Sequence, residues 1–481
     1  MAGRASAVAE REAAAVAAAG QVARSYEIPL VEWATLALRA GRIAPILPHF
    51  AWLIRFPGPI SRDEIAAEAL RLASTPYGLG RRLAGPRVPG GRPRWVASTT
   101  PGPVLYSETP IAEGDELASW IDGHLGARLD PGRAAGWLVA ATVTDAGDTV
   151  LLVLVHHLFG IARGLVGAAY AGDTEDPTFG TVGLRFDDPA NDYSLRAELR
   201  GLRERFAVGF RGISRIRDDI AQERRRRAEP GPAGLPQLPR PRGRDRTRRD
   251  LSERRTLALA FGTAQQWDET AAQWGGTGMT LATAVTANLL RRARQARGGS
   301  SDRSLQLVLP IDLTRRDDID RSSRLGAGPS AEEVMTTANL VLPGGAPVHG
   351  DLSEIRARTK AALAADAATA PSIRGVPDVA RLLPERLVLR AATRAAVLFD
   401  GCVSNVGELP PEMMQLGSHE ATWITMLGFP IGNEMLTGLL RAGDQISLSV
   451  VTDPARMGRD ANLRTWLSEE LAAWGLLDLV M

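Results

Sequence analysis

The feature that most constrains the fold is a break near the middle of the 481-residue chain. Between residues 229 and 255, five prolines alternate with glycine and polar residues, and the rest of the segment is dense in arginine. This composition predicts a flexible linker, because proline and glycine interrupt regular structure and charged chains extend. Clustered arginine would also suit a docking surface for an acidic partner. The halves on either side are each about 200 residues long, the size of one domain.

Both halves alternate predicted strands with predicted helices. In the first half, apolar runs at 50–56, 137–144 and 149–155 predict strands, and Ser61 with Glu64 has capping-box spacing at the start of a helix. A longer helical pattern covers residues 193–227. In the second half, strands are predicted at 256–261, 305–311, 423–426 and 445–451, and helices at 280–297, 351–365 and 461–474. The predicted organisation is an N-terminal extension that is helical (1–27), a first lobe (28–228), the linker (229–255) and a second lobe (256–481).

Composition excludes several classes of function. The formal net charge is only +2, and acidic residues accompany the basic ones through most of the chain, whereas a nucleic-acid-binding protein gathers its cations on one face. A single cysteine, Cys402, excludes an intramolecular disulfide and a cysteine-based zinc site, which fits a reducing cytoplasm. No stretch reaches the roughly 20 apolar residues of a membrane-spanning helix. We therefore expect a cytoplasmic protein with no metal site, no nucleic-acid partner and no membrane span.

The most informative segment for chemistry is 153–164, Val-Leu-Val-His-His-Leu-Phe-Gly-Ile-Ala-Arg-Gly. A predicted buried strand ends in His156 and His157, at a point where side chains can leave a core and enter a cleft. A neutral imidazole, with a reference pKa near 6.5, is suited to take a proton at cellular pH. Taken alone, such a pair is more often a hydrogen-bonded structural element at a strand end.

This segment resembles the His-His-x-x-x-Asp-Gly signature of the condensation-domain superfamily. The superfamily includes nonribosomal peptide condensation domains, wax ester synthases and polyketide-associated acyltransferases. The resemblance extends from about Ile28 to Gly475, and its further segments are Phe-Pro-Gly-Pro at 56–59 and residues 309–315, 337–341, 403–407 and 443–475. It implies an α/β (α+β) fold of two chloramphenicol-acetyltransferase-like lobes in a V with a central tunnel.

The resemblance also implies roles. His157 would take a proton from an acceptor hydroxyl or amine, or hold the acceptor for attack, and His156 would be mainly structural. The acyl group would arrive as a thioester on coenzyme A or on an acyl or peptidyl carrier protein supplied in trans, with no other cofactor. The expected function is therefore acyl transfer to a small-molecule acceptor in specialised or lipid metabolism.

The signature departs from the family at two positions. Ile161 stands where the family has aspartate, and Ala162 stands where it has glycine. In the family that this segment resembles, the aspartate is usually an ion-paired anchor directed away from the tunnel, and packed apolar groups can replace a buried ion pair at little cost if its arginine partner is absent too. An active acyltransferase with a remodelled loop is the leading hypothesis. The alternatives are a homologue redirected to cyclisation or isomerisation, and a catalytically silent binding module.

Other polar residues carry weaker predictions. Ser404 and Asn405 could line the tunnel and donate a hydrogen bond to a developing oxyanion, or they could simply form a turn. Asn339 could point into the cleft or cap a strand. Cys402 has no acid or base pattern around it and is not predicted to be a nucleophile. No role is assigned to the remaining histidines, which lie in loop-like or isolated contexts: His49, His124, His349 and His419.

Overall fold

The computed structural model of the chain describes residues 25–27, 49–74, 79–85, 87, 94–98, 100–127, 129–132, 135–159, 256–312, 335–373, 399–428, 434–458 and 462–476, and seven helical positions between 195 and 210. Those seven positions agree with the helix predicted over 193–227. The predicted linker and the segment around Ile161 and Ala162 lie outside the described residues. Residues 25–27, the last three of the predicted helical extension, form a strand instead.

A five-stranded sheet organises the first lobe. Its strands are β2 (His49–Phe56), β5 (Val104–Ile111), β6 (Trp137–Thr144), β7 (Thr149–His156) and β14 (Trp423–Gly428). Their order is β14-β2-β7-β6-β5, and all neighbours are antiparallel except β5, which runs parallel to β6. A separate three-stranded sheet has the order β1-β4-β3 and contains β1 (Ser25–Glu27), β3 (Arg81–Ala84) and β4 (Arg94–Ala97).

The central strand β7 is buried on both faces, which explains its unbroken apolar sequence. Its odd-numbered residues pack into the core that includes Ile65 and Ala69 of helix α1 (Arg62–Ser74). Its even-numbered residues pack against helix α2 (Asp115–Leu125) and against residues of the second sheet. Strand β7 is therefore packed between residues from both halves of the chain.

Two local structures predicted from the sequence, a capping box and a hairpin turn, are present. At the start of α1, the Glu64 backbone N–H donates to Ser61 Oγ at 3.3 Å, and the Ser61 N–H donates to Glu64 Oε2 at 3.0 Å. Between β6 and β7, the Thr144 N–H donates to the Asp148 carbonyl oxygen at 2.8 Å, and Gly147 adopts a φ of 87°. That conformation favours glycine and closes the predicted hairpin.

A six-stranded sheet organises the second lobe, in the order β10-β9-β11-β15-β16-β8. Its strands are β8 (Thr256–Thr263), β9 (Leu305–Asp312), β10 (Met335–Leu342), β11 (Gly401–Glu408), β15 (Met435–Ala442) and β16 (Gln445–Thr452). Its helices are α3 (Ala264–Gln273), α4 (Gly278–Ala296), α5 (Ser353–Ile373) and α6 (Leu463–Ala473). A two-stranded ribbon of β12 (Gln415–Leu416) and β13 (His419–Glu420) precedes β14.

The prediction for strand β14 is wrong in one respect, the sheet to which the strand belongs. The position of residues 423–426 after the linker predicts a strand of the second lobe, but β14 pairs antiparallel with β2 and forms an edge of the first sheet. It also contacts the second sheet, because Ser449 Oγ donates to the Met426 carbonyl oxygen at 2.6 Å and the rings of Trp423 and Phe261 lie 4.4 Å apart. The strand is buried throughout, so its apolar pattern suits either sheet.

Candidate active site

The histidine pair lies where the chain leaves the central strand of the first sheet. His156 is the last residue of β7, is fully buried, and donates its backbone N–H to the Gly136 carbonyl oxygen at 2.9 Å. His157 begins a three-residue 3₁₀ turn that ends at Phe159. Its half-buried ring makes an edge contact with the ring of Phe50, with centroids 5.1 Å apart. The strand thus delivers both histidines to its end, as the sequence predicted.

Burial controls the charge of His157. Removal from water lowers the pKa of His157 from 6.5 to about 4, because the charged imidazolium loses more hydration than the neutral ring. The ring is therefore neutral at pH 7 and has one nitrogen that can accept a proton. The imidazolium that such a transfer forms is a stronger acid than an imidazolium in water, so it gives its proton up readily.

A third histidine, His49, belongs to the same cluster. It is the first residue of β2, and it lies directly opposite His156 in the antiparallel register, with ring centroids 5.4 Å apart. Its side chain is buried, and burial together with the charge of His157 lowers the pKa of His49 to about 3. The prediction that His49 sits in an isolated context is wrong. The apolar run after it marks a strand, but only the pairing of β2 with β7 brings the three histidines together.

Two further residues near the turn had no sequence signal. Arg81, on β3 of the small sheet, donates from Nη2 to the Phe159 carbonyl oxygen at 2.5 Å. Gly136 lies against the Phe159 ring, and a Cβ at that position would overlap it. Both contacts join segments that are far apart along the chain, so no local pattern announces them.

The other predicted tunnel residues lie in the second sheet. Ser404 and Asn405 are within β11, and Asn405 Oδ1 accepts the backbone N–H of Gly407 at 2.9 Å across a bulge. Of the two roles predicted for Asn405, lining the tunnel or forming a turn, this local hydrogen bond agrees with the turn. Asn405 is exposed. Asn339 is exposed on the edge strand β10. Roles for Ser404, Asn405 and Asn339 in substrate binding stay predictions.

The remaining candidates have structural surroundings. Cys402 is buried, and burial raises the pKa of its thiol to about 12, so it is not a thiolate at neutral pH. His349 Nε2 lies 3.2 Å from both carboxylate oxygens of Glu470, and His419 Nε2 lies 3.1 Å from Glu64 Oε1. Within the described ranges, no group of three or more histidine, cysteine, aspartate or glutamate side chains could hold a metal ion. None of the described helices is long and apolar enough to cross a membrane.

No protein-family model and no curated protein sequence matches the chain. Solved structures match it over nearly its whole length. The wax ester synthase/diacylglycerol acyltransferase from Marinobacter aquaeolei VT8 is 16% identical, with 89% of this chain and 94% of that one covered at a TM-score of 0.50. The condensation domain of the Monacolin K polyketide synthase MokA is 14% identical, with 95% and 97% covered at a TM-score of 0.51. The chain has the condensation-domain fold.

A third structure with the condensation-domain fold is a mutant starter condensation domain of the rhizomide synthetase RzmA in complex with C8-CoA. It is 15% identical, with 94% of this chain and 95% of that one covered at a TM-score of 0.51. The superfamily fold expected from the His-His segment, with mixed helices and sheets, is therefore confirmed. The V arrangement of the lobes, the tunnel and the residue numbers of the lobe boundaries stay predictions.

Proposed function

We propose that this protein is an acyltransferase in which His157 is the general base. The acyl group is carried as a thioester on coenzyme A or on a carrier protein, and the acceptor is a small molecule with a hydroxyl or amine. The observation that carries this proposal is the neutral, half-buried imidazole of His157 at the end of the central strand.

The chemistry balances without a further cofactor. The acceptor oxygen or nitrogen attacks the thioester carbonyl carbon as His157 takes its proton, and a tetrahedral oxyanion forms. Collapse of this intermediate breaks the carbon–sulfur bond and releases a thiolate, which takes the proton back from His157. The lowered pKa of the ring favours this second transfer, because a thiol with a reference pKa near 8.5 holds the proton far more tightly.

The comparisons support the class of reaction and the kind of donor. A wax ester synthase and two condensation domains share the fold, and one of these domains binds a coenzyme A thioester. An acyl or peptidyl carrier protein as alternative donor, and a cytoplasmic location, belong to the same proposal. Retention of both His156 and His157 supports an active enzyme over a silent module.

Thiol release tests this proposal directly. Wild type is incubated with a panel of acyl-CoA and acyl-carrier thioesters and with alcohol and amine acceptors, and the released thiol is measured with a chromogenic disulfide. The only cysteine, Cys402, is buried and contributes little background. We expect acceptor-dependent release that falls by about 10² to 10⁴ in His157→Gln, the usual contribution of a general base. His124→Gln removes a histidine whose Nδ1 lies 2.8 Å from the Trp120 carbonyl oxygen within α2, so it is the matched control and should keep wild-type activity.

Two outcomes would refute the proposal. Equal release by wild type and folded His157→Gln would remove the general-base role. Absence of transfer with every donor would move the assignment to intramolecular chemistry, such as cyclisation or isomerisation, or to a binding module. Mass spectrometry of the acceptor separates transfer from simple thioester hydrolysis.

A further inference from the structure

The turn that carries His157 is held at its far end by Phe159. The Phe159 side chain is buried in the core of the first lobe, and its ring lies against Gly136. The carbonyl oxygen of Gly136 accepts the backbone N–H of His156. The residue that precedes the turn and the residue that ends it therefore both contact Gly136, directly before β6, and these two contacts restrain the turn between them.

Arg81 contacts the same residue at the end of the turn, Phe159. Its Nη2 donates to the Phe159 carbonyl oxygen at 2.5 Å, and its guanidinium carbon lies 5.6 Å from the centroid of the Phe159 ring. Arginine is suited to this position, because a guanidinium can donate a hydrogen bond and pack over an aromatic ring at the same time. A lysine could donate to the carbonyl oxygen but would lack the planar contact.

The backbone around Arg81 is fixed on both sides. Two residues before it, the Leu79 carbonyl oxygen accepts Trp137 Nε1–H at 3.3 Å. Two residues after it, the Leu83 N–H donates to the Pro131 carbonyl oxygen at 3.1 Å. Trp137 follows Gly136 directly as the first residue of β6, and the Pro131 ring lies against Gly136. These hydrogen bonds hold the small sheet next to the turn. They also fix the backbone from which the Arg81 side chain reaches Phe159.

We propose that Arg81 is a positioning residue for acyl transfer, which holds the His157 turn in its reactive geometry through the Phe159 main chain. This inference rests on the proposed role of His157 as general base. Arg81 acts through Phe159, and its effect is on the orientation of the imidazole. Misplacement of a catalytic group by about 1 Å can lower the rate by about a hundredfold, so loss of this anchor has a measurable cost.

The test compares Arg81→Met, Arg81→Lys and Arg82→Met. Arg82 is the next residue on β3 and is exposed, so it is a matched control for loss of an arginine from this strand. We expect kcat to fall by about tenfold to a hundredfold in Arg81→Met, with KM for the acyl thioester within about twofold of wild type. Arg81→Lys should recover part of the rate, and Arg82→Met should retain all of it.

A second readout does not need turnover. In protein labelled with ¹³C at the histidine rings, the His157 signal is assigned by its absence in His157→Gln. This signal should shift in Arg81→Met, shift less in Arg81→Lys and stay in place in Arg82→Met. If Arg81→Met does not fold, Arg81→Lys decides the matter by the same two measurements.

Unchanged kcat and an unchanged His157 signal in a folded Arg81 variant would overturn the inference. Equal losses in Arg82→Met would overturn it too, because they would show a general effect on the small sheet. If wild type transfers no acyl group, the proposed function fails, and the ring signals alone then decide whether Arg81 positions His157.

Discussion

Lowering the pH from 7.5 to 5 should remove a large share of the stability of this protein through two histidines, His49 and His157. The pKa of His49 falls to about 3 and that of His157 to about 4, whereas both lie at 6.5 in the unfolded chain. Between pH 6.5 and 4 these histidines are therefore protonated in the unfolded state and neutral in the folded state. The resulting stabilisation is complete above pH 6.5 and is lost as the pH falls through this window.

The magnitude follows from the size of the two shifts. A pH of 5 lies about 1.5 units below the pKa of each histidine in the unfolded chain. Protonation lowers the free energy of the unfolded state by about 1.4 kcal/mol for each of these units. Each histidine thus costs about 2 kcal/mol at pH 5, and the two together cost about 4 kcal/mol, against a total stability of roughly 5–15 kcal/mol for a typical domain. Carboxylates titrate mainly below this range, so the histidines dominate it.

Urea unfolding at pH 7.5, 6.5, 5.5 and 5 measures this loss in wild type, His49→Gln and His124→Gln. The free energy of unfolding of wild type should fall by about 4 kcal/mol across the series, and that of His49→Gln by about 2 kcal/mol. The control His124→Gln, which removes a histidine from α2, should follow wild type. If His49→Gln loses as much as wild type between pH 7.5 and 5, the reasoning about the buried cluster is refuted.

Three further changes test the packing around the site. Gly136→Ala should lower the free energy of unfolding by about 1–3 kcal/mol, because the added Cβ overlaps the Phe159 ring at the end of the 3₁₀ turn. The control Gly123→Ala has open space around its Cβ and should not lose stability. Equal stabilities of Gly136→Ala and wild type in denaturant would contradict the close contact. Ser449→Ala should cost about 1 kcal/mol in the same assay by removing the hydrogen bond to the Met426 carbonyl oxygen, and no change would argue against that contact between the sheets. Cys402 should resist alkylation in the folded protein and react in urea, as followed by mass spectrometry, and rapid labelling of the native protein would show that its thiol is accessible.

Much of the fold was predictable because its signals are local. The apolar run that forms β7 is long, uncharged and bounded by turn residues, so it could form a buried strand without knowledge of its neighbours. The Ser61–Glu64 capping box and the Gly147 turn also act within a few residues. Helices α4, α5 and α6 showed the expected patterns, and their bounds differ from the predicted ones by a few residues, apart from the longer C-terminal end of α5.

Some elements were not predicted because they are short. Helices α2 and α3 span 11 and 10 residues, and each buries only three side chains. Strand β15 contains Thr437, Gly438 and Arg441, which interrupt its apolar run. A Cβ at Gly438 would approach Ser449 Oγ and the Met426 carbonyl oxygen, so this glycine serves the contact with β14 and β16 and not the local conformation.

The candidate site divides in the same way. The sequence alone determined that His156 and His157 end a buried strand, because strand formation and position along the strand are local properties. Only the tertiary structure decided that His49 faces His156, that Arg81 holds the turn after His157, and that β14 joins the first sheet. These facts depend on register and on contacts between distant segments. The energy that selects them comes from packing among residues that no short window of sequence contains.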